Sequence, residues 1–334
     1  MGSVRYVTPV AASAATGQVA EVYAQVGRDF GFLAPAFTAL SPAPDLLAAT
    51  WSLLRESLLV GEASRTAKEL VAVGVSQANR CPFCVDAHAM LLHATGASSL
   101  AETVAAGRTP ADQENARLLA WAKAPRAGAP PFDRAHTAEC VGTALTFHFV
   151  NRGVSALLTE YFLPGRLQKR PLVRNLAGRA FARVVRRTLR PGASLPLLGD
   201  PGPAEPAPAW SAGTPIGHAF TALRTAAARG RAALSHEAEA VLRDTVNAWD
   251  GEHPPLDGAW LAAPLAALPE PDRPAARLAL LAALAPYRIT DADVAAWRAT
   301  GGSDEDLVRL IGFGAINAVV RIEGWITSAR PLTV

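Results

Sequence analysis

Three features of the sequence predict an all-α fold. Alanine, leucine and arginine dominate, strand-forming aromatics are few, and apolar residues recur mostly at three- and four-residue spacing, the repeat that lays one apolar stripe along a helix. With 334 residues, half of them apolar and only 18% charged, the chain is long enough for two helical cores of ordinary size or one large one.

The first lobe, 1–190, reads as a succession of helices. Residues 13 to 29 suggest the first, and Pro42, Pro44 and Asp45 open a longer one through Leu59. Lys68 to Gln77 carries Leu70, Val71, Val73 and Val75, a short buried helix by pattern, with a strand reading left open by its β-branched residues. Asn79-Arg80 breaks the run. Pro82 stands where a first helical turn tolerates proline, and Phe83 to Ala94 follows as a helix closed by Thr95-Gly96. Further helices are expected at 98 to 105, 111 to 123, 134 to 160 and 166 to 189. Pro191, Pro196, Pro201, Pro203, Pro206, Pro208 and Pro215 then remove backbone donors and fix φ, so 191–215 reads as a linker.

The second lobe, 216–334, echoes the first. Ala36-Phe37-Thr38-Ala39-Leu40 recurs as Ala219-Phe220-Thr221-Ala222-Leu223, Ala116-Arg117-Leu118 as Ala276-Arg277-Leu278, and Phe147-x3-Asn151 as Phe313-x3-Asn317. Chance matches in an Ala/Leu-rich chain are the bland explanation; their shared order supports a duplication whose second copy is shortened where the first carries its paired cysteines. No cysteine follows Cys140, so the second lobe is expected to be degenerate, without a dithiol of its own.

Cys81 and Cys84 are one tight pair and Cys140 a lone thiol, a count that does not describe a secreted disulfide framework. It fits a cytoplasmic protein whose pair does chemistry and whose third thiol packs as a small hydrophobe. The N-terminus does not read as a signal peptide, and no stretch approaches about 18 uncharged apolar residues, so neither export nor a membrane span is expected. A formal charge of +3 does not indicate a nucleic-acid protein. The acid-free run Arg166, Lys169, Arg170, Arg174, Arg179, Arg183, Arg186, Arg187 and Arg190 reads either as an interlobe helix with solvated or paired arginines or as a docking face for an acidic redox partner.

A C-x-x-C pair at a helix start has a specific use. Unpaired N–H groups and the helix dipole favour a nearby thiolate, and two intervening residues leave the sulfurs within disulfide reach. His88 lies four residues beyond Cys84 and seven beyond Cys81, on the same helical face, where it can take a proton from Cys84. Glu69, the one acid between positions 69 and 78, is costly to bury unless paired. It either orients His88 or faces solvent at a helix end. Zinc is the rival use of such a pair; it needs four convergent ligands, and neither Cys140 nor His93 stands in a second paired motif. No phosphate-loop or dinucleotide fingerprint suggests a bound cofactor.

The spacing Glu69-x11-Cys81-Pro82-Phe83-Cys84-x3-His88, with Phe147-His148-Phe149-Val150-Asn151-Arg152 later, resembles the alkylhydroperoxidase D-like branch of the carboxymuconolactone decarboxylase family. The resemblance covers roughly residues 10 to 165. It implies an all-helical fold and a homo-oligomer with the active helix commonly at a subunit interface. It also implies Cys84 as the peroxide-attacking thiol, Cys81 as the resolving thiol, and Glu69 with His88 as the proton relay. The substrate would be a hydroperoxide, and the reductant a protein-borne lipoyl group or another dithiol, some relatives serving a peroxiredoxin. Phe83 departs from the founding members, which have a second histidine there, so this site leans harder on Glu69 and His88. Two other functions are weighed against it: a noncatalytic helical interaction protein, and a cofactor-free decarboxylase or lyase acting on a small organic acid.

Overall fold

The computed structural model describes residues 4–328 apart from 125, 127, 162–163, 200–205 and 212; Pro201, Pro203 and the Arg166 side chain fall outside the described residues. Among those described there is no β-strand, only an isolated bridge between Val4 and Leu158. No described helix is long and apolar enough to cross a membrane.

The first lobe holds α1 (Gly17–Asp29), α2 (Pro35–Thr38), α3 (Pro44–Leu54), α4 (Arg65–Ala78), α5 (Pro82–Thr95), α6 (Ser98–Ala105), α7 (Gln113–Lys123), α8 (Thr137–Leu157) and α9 (Pro171–Val185). The second holds α10 (Pro215–Ala228), α11 (His236–Ala248), α12 (Ala259–Ala266), α13 (Arg273–Leu284), α14 (Asp291–Arg298) and α15 (Asp304–Ser328). Prolines open α2, α3, α5, α9 and α10 in the first turn, where a missing N–H costs nothing.

Local chemistry decides three details. The segment 68–77 is helix, as its pattern predicts, and the strand reading falls: Ser64 caps it by accepting the Ala67 N–H at 3.1 Å, and burial of its valines overrides their strand preference. The helix expected over 166–189 breaks at Pro171 into a 3-10 turn, Pro164–Lys169, and α9. α9 packs on α5 within the first lobe, so the interlobe-helix reading of the basic run does not hold. The helix through Leu59 ends as a π-helical turn, Arg55–Leu59, which buries both Arg55 and Glu56.

That buried pair ties down the start of the proline-rich segment. Arg55 donates to Asp29 at 2.7 Å, Glu56 at 2.6 Å and the Arg190 carbonyl, while Glu56 accepts from Gly192 N and Ser194 Oγ. Further on, Trp210 is buried and donates to Glu323. One continuous apolar core runs from Val7 to Ile326 through both lobes, with α3 packed on α10 and α8 on α15. The matched fragments fall on helices, Ala116–Leu118 in α7 against Ala276–Leu278 in α13, and Phe147 in α8 against Phe313 in α15. The pentapeptide at Ala36 does not pair like with like, since it straddles the four-residue α2 whereas Ala219–Leu223 lies inside α10.

Candidate active site

The site is built on the hairpin of α4 and α5. Gly74 lets α7 lie against α4, since a Cβ there would stand 2.7 Å from the Ala122 Cβ. Between the helices Arg80 takes a left-handed φ of 52°, and Cys81, next in the chain, donates its N–H to the Ser76 carbonyl at 2.9 Å. This tight turn seats Cys81 at the N-cap of α5 and Cys84 in its first turn. Gly96, at φ 99°, closes α5 in the conformation that favours glycine.

The four residues singled out by spacing come together. Glu69 is wholly buried, and its Oε2 lies 2.6 Å from His88 Nδ1 while Oε1 accepts from Arg65 Nε at 2.7 Å. The solvent-facing alternative for Glu69 is thereby excluded. Burial pushes its carboxyl towards the neutral form, but the charges of Arg65 and His88 and their hydrogen bonds outweigh this and hold its pKa below the ordinary carboxylate range. The Phe147 ring stands edge-on to His88, 4.4 Å between centroids, and fixes the plane of the imidazole.

Cys81, Cys84 and Cys140 are free, buried thiols. Burial raises the first two, but Cys81 gains hydrogen bonds from the Cys84 thiol and N–H and from Ser155, and its pKa falls; burial and the neighbouring Cys81 push Cys84 well up. Of the two thiols, Cys81 is therefore the one whose surroundings favour the thiolate. Access points the other way. A cavity of about 290 Å3 with almost wholly apolar walls is lined by Cys84 and His88, together with Phe30, Phe37, Phe83 and Phe181, while Cys81 is not among its lining residues. A shared proton relocates readily between two bonded sulfurs, whereas an enclosed sulfur cannot meet a peroxide.

Spacing alone did not find Arg65, Phe147, Phe181 or Ser155. Arg65 was within reach as the i−4 neighbour of Glu69. Phe181 comes from α9, whose Gly178 lies on His93, and carries no local signal. His93 is engaged by Glu102, 2.7 Å from its Nε2, and Cys140 is pushed up to about 12 by burial and by neighbouring Glu139. Both are therefore used elsewhere. Among the described residues no group of three or more metal-ligating side chains converges.

The sequence model described as the carboxymuconolactone decarboxylase family matches residues 44–128, which span α3 to just beyond α7 and include the whole dithiol hairpin. An alkyl hydroperoxide reductase of Mycobacterium tuberculosis is 42% identical over 344 aligned positions, covering 98% of this chain and 96% of that protein. No solved structure matches the chain.

Proposed function

The chain belongs to the alkylhydroperoxidase D-like branch of the carboxymuconolactone decarboxylase family and is a thiol-dependent oxidoreductase; from that premise we propose Cys84 as its peroxide-attacking residue, Cys81 as its resolving residue, and an organic hydroperoxide as its substrate. The observation that carries the assignment is the shared wall of Cys84 and His88 in an apolar cavity. An alkyl or aryl hydroperoxide buries its body among the phenylalanines and brings its O–O bond to the sulfur.

His88, held by Glu69, accepts the Cys84 proton, and the thiolate attacks the terminal peroxide oxygen. The O–O bond breaks, the alcohol leaves with the proton returned by His88, and Cys84 becomes a sulfenic acid. The Cys81 sulfur then displaces hydroxide, which leaves as water, and a Cys81–Cys84 disulfide forms. An external dithiol restores both thiols. A protein-borne lipoyl group fits that role, with a peroxiredoxin as a further partner. The exposed arginines of α9, Arg179 and Arg183, beside the exposed Leu172 and Leu176, fit an acidic donor with an apolar contact. Three free thiols suit a cytoplasmic setting.

A duplicated origin for the second lobe belongs to the same proposal. Its support is the order α3, turn, serine cap, α4 against α10, turn, serine cap, α11, with Ser64 and Ser235 capping alike. Gly142 of α8 abuts Ile216 of α10, and Gly312 of α15 abuts Leu46 of α3; within each equivalent pair the residues are 170 positions apart. Equivalent helices therefore meet as across a twofold axis. α9 packs along α5, so a homo-oligomer, as the resemblance implies, would use surface that α9 leaves free.

Stopped-flow oxidation with hydrogen peroxide and cumene hydroperoxide, read by intact mass, tests the assignment. Wild type should form the disulfide faster with cumene hydroperoxide, Cys81→Ser should stop at a single added oxygen, and Cys84→Ser should react no faster than background. A fast-reacting Cys84→Ser would transfer the attacking role to Cys81.

A further inference from the structure

α8 has two lined faces. Phe147 and Val150 border the redox cavity, whereas His148 and Arg152 border a second cavity, of about 510 Å3, between the lobes and open at one edge. Its volume is in the range that takes a small molecule.

The inner wall of this cavity carries hydrogen-bond donors without acceptors. Arg152 is buried; its Nε donates to the Ala283 carbonyl and its Nη1 to the His148 carbonyl, both at 2.7 Å, and no hydrogen bond or ion pair uses Nη2 among the described residues. Beyond these two carbonyls, the Trp249 ring stands with its centroid 5.8 Å from the guanidinium carbon. His148 is also buried. Asn79 Nδ2 donates to its Nδ1 at 3.2 Å, which leaves the proton of the neutral ring on Nε2, and that nitrogen has no partner. Burial and the Arg152 charge keep His148 well below its ordinary pKa, consistent with that tautomer. Half-buried Lys123 adds a cation with no carboxylate partner among the described residues.

A buried guanidinium without a counter-ion is expensive, and a buried donor without an acceptor adds to the cost. Asp250 and Glu252 do not relieve it. They line the exposed edge, where Asp250 Oδ1 accepts the Glu252 N–H at 3.0 Å. The rest of the lining is largely apolar, with Trp249, Trp325, Tyr287, Leu284 and Pro286; at the rim Arg126 donates to the Asp250 carbonyl at 2.7 Å and His253 Nε2 to the Ala78 carbonyl at 2.7 Å, so both are engaged. Inorganic anions would waste those walls, and a neutral apolar molecule would leave the guanidinium uncompensated.

We propose that the cavity between the lobes binds a small organic carboxylate with a flat apolar body, its carboxylate seated on Arg152 and His148 and its body against Trp249 and Trp325. The ligand lies on the face of α8 turned away from the redox cavity, so binding does not require the dithiol.

Isothermal calorimetry on the reduced full chain with benzoate, cinnamate and octanoate tests this, with benzamide and inorganic phosphate as controls. At least one aromatic carboxylate should bind saturably and benzamide and phosphate should not. Arg152→Met should weaken binding roughly tenfold or more, as loss of a charge-assisted hydrogen bond does, Lys123→Met should weaken it less, and Cys84→Ser should leave it unchanged. If Arg152→Met does not fold, Trp249→Ala and Lys123→Met decide, and each should weaken binding. The proposal is overturned if no carboxylate of the panel binds, if benzamide binds as well as benzoate, or if the folded variants of Arg152, Lys123 and Trp249 all bind as wild type does.

Discussion

Glu69 is wholly buried, and its two partners decide its behaviour. Arg65 and His88 hold its pKa below the ordinary value against the opposing effect of burial. A folded-state pKa below the unfolded one means that the stabilisation is complete above the unfolded value of about 4.3 and is lost as pH falls through the lower folded value. Glu69→Gln should therefore be less stable than wild type at neutral pH, with the difference closing below about pH 4. Denaturant midpoints taken from neutral to acid pH check this, and a gap independent of pH would remove the charge from the explanation. The same substitution leaves the imidazole without the carboxylate that holds and orients its Nδ1. Thiol oxidation by cumene hydroperoxide should then slow on the order of a hundredfold, the usual contribution of a positioned base. Phe83 offers no compensating proton acceptor in the same cavity.

Among the elements, α9 does most to shape access to Cys84. It lies along α5, contributes Ala177 and Phe181 to the cavity, and is pinned by Arg174, whose Nε donates to Glu102 at 3.0 Å. Contact is close because residue 178 is glycine: a Cβ there would stand 2.5 Å from the His93 Cβ and 3.1 Å from the Ala94 nitrogen. Gly178→Val should lift α9, cost about 1–3 kcal/mol as overpacking does, and raise the reaction rate of Cys84 with a bulky thiol reagent several-fold while helical circular dichroism is kept. Unchanged thiol reactivity in a folded variant would mean that α9 is not the cover. The helices themselves were legible, because prolines and capping residues punctuate the chain at their starts, and the Cys84–His88 face followed from helical period. The pairing of Glu69 with His88 was legible as one of two options, settled by the packing of α4 on α5. The aromatic cavity was not, since Phe30, Phe83, Phe147 and Phe181 belong to four separate segments. Nor was the cavity behind Arg152, which exists only once α8 meets the end of α11 and the C-terminal part of α15.

In the whole molecule the two lobes share one core, and two of the contacts that join them depend on glycines. Gly142 in α8 admits Ile216, whose Cγ2 would lie 2.6 Å from an added Cβ; Gly312 in α15 admits Leu46, whose Cδ2 would lie 2.8 Å away. The sequence match at Phe147 and Phe313 implies a register of 166 positions, one helical turn from the 170 that the glycine contacts give. Short apolar matches cannot distinguish neighbouring turns of an Ala/Leu-rich helix; a close approach that only glycine allows can. If both contacts belong to one core, unfolding is a single event, because neither lobe keeps a buried face after the other has left. Calorimetry of the reduced chain should show one transition, and Gly142→Val and Gly312→Val should each lower it without splitting it, at a cost of about 1–3 kcal/mol apiece. The Leu46 side chain can swing aside more readily than β-branched Ile216, so Gly142→Val should have the larger effect. Thiol oxidation should be lost at the same temperature as the heat is absorbed, since α8 carries both the lobe contact at Gly142 and the Phe147 ring that fixes His88. Two transitions, with only one moved by the substitutions, would instead make the lobes independent units and the shared core an incidental contact.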